Sequence, residues 1–272
     1  MTVSYLPRVQ LDLHRHPIKN GEFLPTQANP EENIALPFEG LIQAQEIAAE
    51  FANEFAQAPK GTVVFGLTSN APRTQEAGFI FDMELQAVSK KLGDNVVVLD
   101  LGGKMPDEST KAQVDQAVDE QDNKKKVILV NGPVHAGLGI RDYDVAGYES
   151  AIGELGSEEA LVTEWGRDGA IGDRIGVQYE EVFQGYIRLE KDIRKIREDI
   201  FPDREMWIKA FGHSGEIEVA LATWTGRNID EIIKLAGGNV INFMENARLE
   251  NDSIGDRTVK YHGTKLTTAL YF

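Results

Sequence analysis

Five short apolar runs, each followed by a polar or amphipathic stretch, set the strongest limit on what this chain can become. They are VQLDL at 9–13, GTVVFGL at 61–67, NVVVLDL at 95–101, KKVILV at 125–130 and MWIKAF at 206–211. In the first, Val9, Leu11 and Leu13 recur at period two, leaving Gln10, Asp12 and His14 on the opposite face. The third and fourth are continuously apolar, the pattern of strands buried in a sheet. Between the strands, residues 39–57 space Leu41, Ile42, Ile47, Ala48, Phe51 and Phe55 as one side of a helix, and Arg73 to Leu92 continue as a second. DESTKAQVDQAVDEQDN reads as a polar helix opened by Ser109 or Thr110, and 177–200 as a long charged one. This rhythm predicts an α/β fold, a three-layer α/β/α sandwich with a mostly parallel central sheet. Toward the C-terminus, NIDEIIKLAGGNVINFMENARLE predicts one helix and a possible second, and TVKYHGTKLTTAL a terminal strand. The glycine-rich stretch 133–176 is expected as an inserted cap region within a single domain spanning 1–272.

Three strand ends carry residues suited to an anion. The first run ends in Arg15-His16 before a Pro/Lys/Asn/Gly loop. Arginine presents a planar fork of donors to phosphoryl oxygens, and a neutral imidazole nitrogen can attack phosphorus. The second run leads into TSNAPRTQEAG, where Ser69 and Asn70 are capping candidates and Pro72 suits a first helical turn. Arg73 then stands at a helix N-terminus, already favourable to negative charge. The fifth run ends in Gly-His213-Ser-Gly before an amphipathic helix.

The motifs LHRHPIK, EGLIQAQEIAAEFANEFA, TSNAPRTQEAG and AFGHSGEIEVAL resemble, in that order, those of the histidine phosphatase superfamily, the phosphoglycerate mutase-like proteins. The resemblance spans 9–85 and 177–225. It implies His16 as the nucleophile that forms a phosphohistidine, with Arg15, Arg73 and His213 around the phosphate, stabilising charge on its equatorial oxygens. It also implies a carboxylic acid that protonates the leaving oxygen and then activates water. Ser214 stands where one branch has that acid, directly after the second histidine, so the acid is expected after the third strand. Asp142 is the first choice, ahead of Asp144, Glu149 and Glu164. Pro17 replaces the glycine that usually follows the Arg-His pair and removes a backbone N–H. Lys19 is a candidate to restore a positive contact there.

The implied activity is hydrolysis of a small phosphomonoester, metal-independent and without cofactor, since arginine and histidine supply the positive charge. Phosphoglycerate-mutase-type transfer is an alternative, as is a phosphate-binding module without turnover. A metallohydrolase built on His14 and His16, with Asp12, His135 or His213 completing the shell, is a further one. It leaves Arg15 and Arg73 without a task. His135 and His262 are otherwise read as structural or exposed.

Composition narrows the partners. With 44 acidic against 28 basic residues the formal charge is -16, which repels a nucleic-acid backbone, and no basic cluster offsets it. A negatively charged substrate must therefore be drawn in by local arginines. The chain has no cysteine, so thiolate and disulfide chemistry are excluded. No basic-then-apolar leader opens it and no run approaches a membrane span, so the expectation is a cytoplasmic protein with neither nucleic-acid nor membrane partners.

Overall fold

The computed structural model describes residues 8–15, 36–118, 125–138, 145–167, 169–213, 215–238, 240, 246–251, 257–261 and 264–267. The strands are β1 (Val9–Arg15), β2 (Val63–Thr68), β3 (Val96–Asp100), β4 (Lys126–Val130), β5 (Met206–Gly212), β6 (Asn246–Asn251), β7 (Arg257–Tyr261) and β8 (Thr264–Thr267). They form one sheet in the order β3-β4-β2-β5-β1-β6-β7-β8. The pairs from β3 across to β1 are all parallel, and β6, β7 and β8 add an antiparallel meander beyond β1. The helices are α1 (Phe38–Gln57), α2 (Pro72–Leu92), α3 (Glu108–Ala117), α4 (Val145–Leu155), α5 (Glu158–Trp165), α6 (Gly169–Ile175), α7 (Tyr179–Lys195), α8 (Glu216–Thr225) and α9 (Ile229–Leu235).

Period-two alternation divides the core between the faces of the sheet. Leu11, Leu13, Phe65, Leu67, Leu129, Ile208 and Ala210 pack with residues of α3, α5, α7 and α8. Val64, Ile128, Trp207 and Phe211 pack with Phe51 and Phe55 of α1 and Phe81 and Leu85 of α2. Both faces are covered, which makes the three layers. Burying a side chain such as Phe55 or Phe81 contributes about 2–3 kcal/mol.

Several sequence expectations change in detail. NVVVLDL is not an interior strand: β3 ends the sheet order and is only half buried, with Val98 exposed. An edge strand can be as apolar as a central one when a helix covers part of it, and α2 and α3 do so here. The α3 N-cap is Asp107 rather than Ser109 or Thr110. Its carboxylate accepts from the Thr110 backbone N–H at 3.0 Å, and Thr110 returns a contact to the Asp107 N–H, a reciprocal box. NARLEN forms β6, not a second helix, and TVKYHGTKLT divides into β7 and β8. Lys126, the first residue of β4, is buried, and its ammonium donates to the Phe55 and Ala56 carbonyls at 2.9 and 2.7 Å. It thus satisfies the C-terminal end of α1. Within 133–176 the described chain forms α4, α5 and α6. Ala151, Leu161, Val162, Trp165 and Ile175 from these helices join the main core.

The polar face of β1 is also buried. Asp12 is wholly enclosed and accepts from Arg248 Nε and Nη2 of β6 at 2.6 and 3.0 Å. Lys209 of β5 has its Nζ 3.9 Å from the same carboxylate and 4.5 Å from the Phe51 ring centroid. Burial pushes the Lys209 ammonium down to about 8, while Asp12 pulls the other way. The sign follows from proton counts. Below pH 8 the lysine is charged in both states, and folding bears the full cost of burying it. From about pH 8 to 10.5 the unfolded chain holds the proton that the folded chain has lost, so stability rises with pH by up to about 3 kcal/mol. Urea unfolding at pH 7 and pH 10 should show this rise in the native chain relative to Lys209→Met. Parallel behaviour of the two proteins would refute it.

Candidate phosphate-binding site

Register brings three strand ends to one level. Across the β1–β5 pair Arg15 faces Gly212, and across β2–β5 Thr68 faces Phe211. The residues that follow, His213 after β5 and Ser69 after β2, therefore emerge beside the end of β1. This is the carboxyl edge of the parallel strands, where open α/β sheets place their sites.

His213 sits between two partners. Arg73 Nη2 lies 2.9 Å from its Nδ1, and Ser69 Oγ lies 2.9 Å from its Nε2. Ser69 also lies 2.7 Å from Thr74 Oγ1 and accepts from the Ala71 N–H at 3.2 Å. Pro72 occupies the first turn of α2, as its fixed φ favours, and Ala71 is the N-cap residue. Ser69, expected as a cap, thus shares its hydroxyl among Thr74, His213 and the Ala71 N–H. The loop after His213 is held from α8. The Gly215 N–H donates to Glu218 at 2.6 Å, and Tyr261 of β7 donates to the other oxygen of that wholly buried carboxylate at 3.3 Å. Gly215 has φ 79°, which glycine adopts freely, and a Cβ there would lie 3.2 Å from Val162 of α5.

Arg15 meets a carboxylate missed in the sequence. Its Nη2 lies 3.4 Å from Glu158 Oε2, and the Tyr148 hydroxyl donates to Glu158 Oε1 at 3.1 Å. Burial, with Glu158 adding to it, raises the Tyr148 phenol above its ordinary range, so it remains a proton donor. Glu158 is the first residue of α5, directly after Ser157, whose hydroxyl accepts from the Ala160 N–H at 3.1 Å. The Ser-Glu-Glu pattern marks a helix start, but nothing local ties it to Arg15, 143 residues away in the chain.

The remaining sequence candidates divide. Arg15, Arg73 and His213 come to one edge of the sheet. His16, Pro17, Lys19, Asp142, Asp144, Ser214 and His262 lie outside the described residues; β1 ends one residue before His16. Glu149 is exposed on α4, and Glu164 pairs with Arg167 at 2.9 Å. His135 is buried, not exposed. The Gly137 N–H donates to its Nδ1 at 3.0 Å, and its Nε2 lies 3.1 Å from Asp192. His14 packs beside Phe211, ring centroids 6.0 Å apart, on the face where Asp12 is engaged by Arg248. Among the described residues no helix is long and apolar enough to cross a membrane.

The layered sheet with Arg15 and Arg73 at its carboxyl edge defines an α/β fold class, and comparison with known structures narrows the fold. The mycobacterial glucosyl-3-phosphoglycerate phosphatase is 10% identical with a TM-score of 0.50, over 89% of each chain. A phosphoglycerate mutase from Bacillus anthracis is 12% identical with a TM-score of 0.50, over 96% of this chain and 95% of that one. No family model matches the chain, and no curated protein sequence does. At these identities it is the fold alone that is shared, a phosphoglycerate mutase-like fold.

Proposed function

We propose that this chain is a phosphatase that hydrolyses a small phosphomonoester through a phosphohistidine on His16. The convergence of Arg15 and Arg73 at one sheet edge, with His213 bound to Arg73, carries this reading, because a phosphoryl-transfer site is above all an array of fixed donors. The fold shared with a phosphatase and a mutase supports it. In this reading an imidazole nitrogen of His16 bonds to phosphorus as the ester P–O bond breaks. The leaving oxygen takes a proton from a carboxylic acid. The resulting carboxylate accepts a proton from water as that water attacks phosphorus and frees the histidine.

Glu158 is the acid we favour over Asp142, since it is bound to Arg15 beside the site and carries a phenol donor on its other oxygen. The segment 133–176, which supplies both Glu158 and Tyr148, then serves as the cap over the substrate.

Hydrolysis of p-nitrophenyl phosphate in the presence of EDTA tests the reading. Turnover should persist with the chelator and vanish in His16→Ala. Activity restored only by zinc or manganese would instead favour the His14/His16 metallohydrolase, and phosphate binding without turnover the inactive module. Glu158→Gln separates acid catalysis from binding. An alkyl phosphate, whose leaving group needs a proton, should lose about 10²–10⁴-fold in kcat, the range of general acid catalysis. The activated aryl ester should lose far less. Equal losses on both esters would remove Glu158 from the role.

A further inference from the structure

We infer that Ser69 is a positioning residue that holds His213 as a neutral ring with its proton on Nε2, so that His213 serves the site as an acceptor anchoring Arg73. The positive charge offered to a phosphate then comes from the guanidinium groups and not from this histidine. The catalytic consequence rests on the phosphatase reading above; the position of the ring proton does not.

The donor and acceptor inventory gives the assignment. A guanidinium has only donors, so at 2.9 Å from Arg73 Nη2 the His213 Nδ1 must present its lone pair. In a neutral imidazole the single proton is then on Nε2, and Nε2–H donates to Ser69 Oγ at 2.9 Å. A doubly protonated ring would set an N–H against a guanidinium N–H, two like charges at hydrogen-bond distance.

The remaining contacts agree with this direction. Ser69 Oγ accepts from the Ala71 N–H at 3.2 Å as well as from the ring, which fills both of its lone pairs. Its own hydrogen must therefore go to Thr74 Oγ1 at 2.7 Å, and the Thr74 hydroxyl passes on to the Ala71 carbonyl at 2.7 Å. Reversing the serine would turn its hydrogen toward Nε2 and place the ring proton on Nδ1, facing Arg73. Ser69 and Thr74 are both wholly buried, so neither touches substrate. They act through the ring. An arginine already held by an acceptor loses less freedom when it closes on a phosphate, which is the gain that a supporting shell supplies.

Two-bond 1H–15N spectra of imidazole-labelled protein at pH 7.5 report the ring proton directly, with the His213 signals assigned from His213→Gln. The native chain should show a neutral ring protonated at Nε2. In Ser69→Ala the Nε2–H loses its acceptor while Arg73 still engages the Nδ1 lone pair, so the Nε2–H signals should shift and exchange faster with water. On p-nitrophenyl phosphate kcat should fall about tenfold while KM changes less than threefold. Thr74→Val should reproduce both changes, and Thr74→Ser, which keeps the hydroxyl, should restore native values. A native ring protonated at Nδ1 or at both nitrogens overturns the inference. So does an unchanged ring spectrum in whichever of Ser69→Ala and Thr74→Val folds. Absence of hydrolysis in the native chain counts against the phosphatase reading alone, because the ring spectra still decide the role of Ser69.

Discussion

Asp12→Ala should lower the unfolding free energy by about 3–5 kcal/mol, a large part of what an ordinary domain possesses. Asp12 lies in the interior of β1 with no exposed surface, and it is the carboxylate shared by Arg248 and Lys209. Arg248 retains a second acceptor in Glu54 at 3.4 Å and is partly open to water. Lys209 is enclosed between Phe51 and the sheet, with Glu54 and Glu50 acting on it only through space. With Asp12 gone, Lys209 must either remain charged among aromatic rings or give up its proton, and both carry a free-energy cost. The loss should therefore be greatest at neutral pH and smaller near pH 10, where the ammonium is already neutral in the folded chain. The double replacement Asp12→Leu with Lys209→Met should recover most of the loss, since an apolar pair of similar volume often does as well as a buried ion pair. Urea titrations of the three proteins measure this. A single-variant loss below 1 kcal/mol would mean that the cluster is solvated and contributes little.

Arg73→Ala should reduce kcat/KM for phosphomonoester hydrolysis by about 10²–10³-fold, the loss typical of deleting one fixed donor to a developing oxyanion. Arg73 stands in the first turn of α2, half exposed, so its removal leaves the core intact. Two effects combine. In the proposed reaction the phosphate loses a guanidinium donor that is charged at every accessible pH, and His213 Nδ1 loses the group it accepts from. Arg73→Lys should recover only part of the activity, because an ammonium is a point charge without the planar fork. Steady-state kinetics on one aryl and one alkyl phosphate, with the melting temperature monitored, provide the check. If Arg73→Ala keeps activity within twofold while His16→Ala abolishes it, Arg73 lies outside the reaction.

How much of this was legible in the chain depends on the range of the interaction. β1 and α1 follow from periodicity, because a repeating apolar set matches the spacing of its own backbone, while β2, β4 and β5 follow from short apolar runs and α2 from its Pro-led start. β3 reads like a central strand because an apolar run says that it is covered, not which neighbours it has. The nearby signals misled at α3, where Asp107 outcompetes Ser109 and Thr110 as the cap, and in the last stretch, where β6 replaces a helix. A chain segment that pairs antiparallel with β1 takes its hydrogen bonds from a partner more than 200 residues away. No local propensity reports that partner.

The candidate site divides along the same line. Arg15, Arg73 and His213 each stand at a strand end or helix start that local sequence marks, so the sequence by itself determined which polar residues stand there and the α/β frame that carries them. Only the tertiary structure decided what those residues touch. Glu158 and Tyr148 approach Arg15 because α4 and α5 fold back over the sheet edge, and Ser69 reaches His213 because β2 and β5 are neighbours in register. Lys209 and Arg248 share Asp12 for a similar reason, since β5 and β6 flank β1. Periodicity is a property of consecutive residues and survives in a one-dimensional string. Hydrogen bonds between side chains about 140 residues apart exist only once the sheet has set the distance between them.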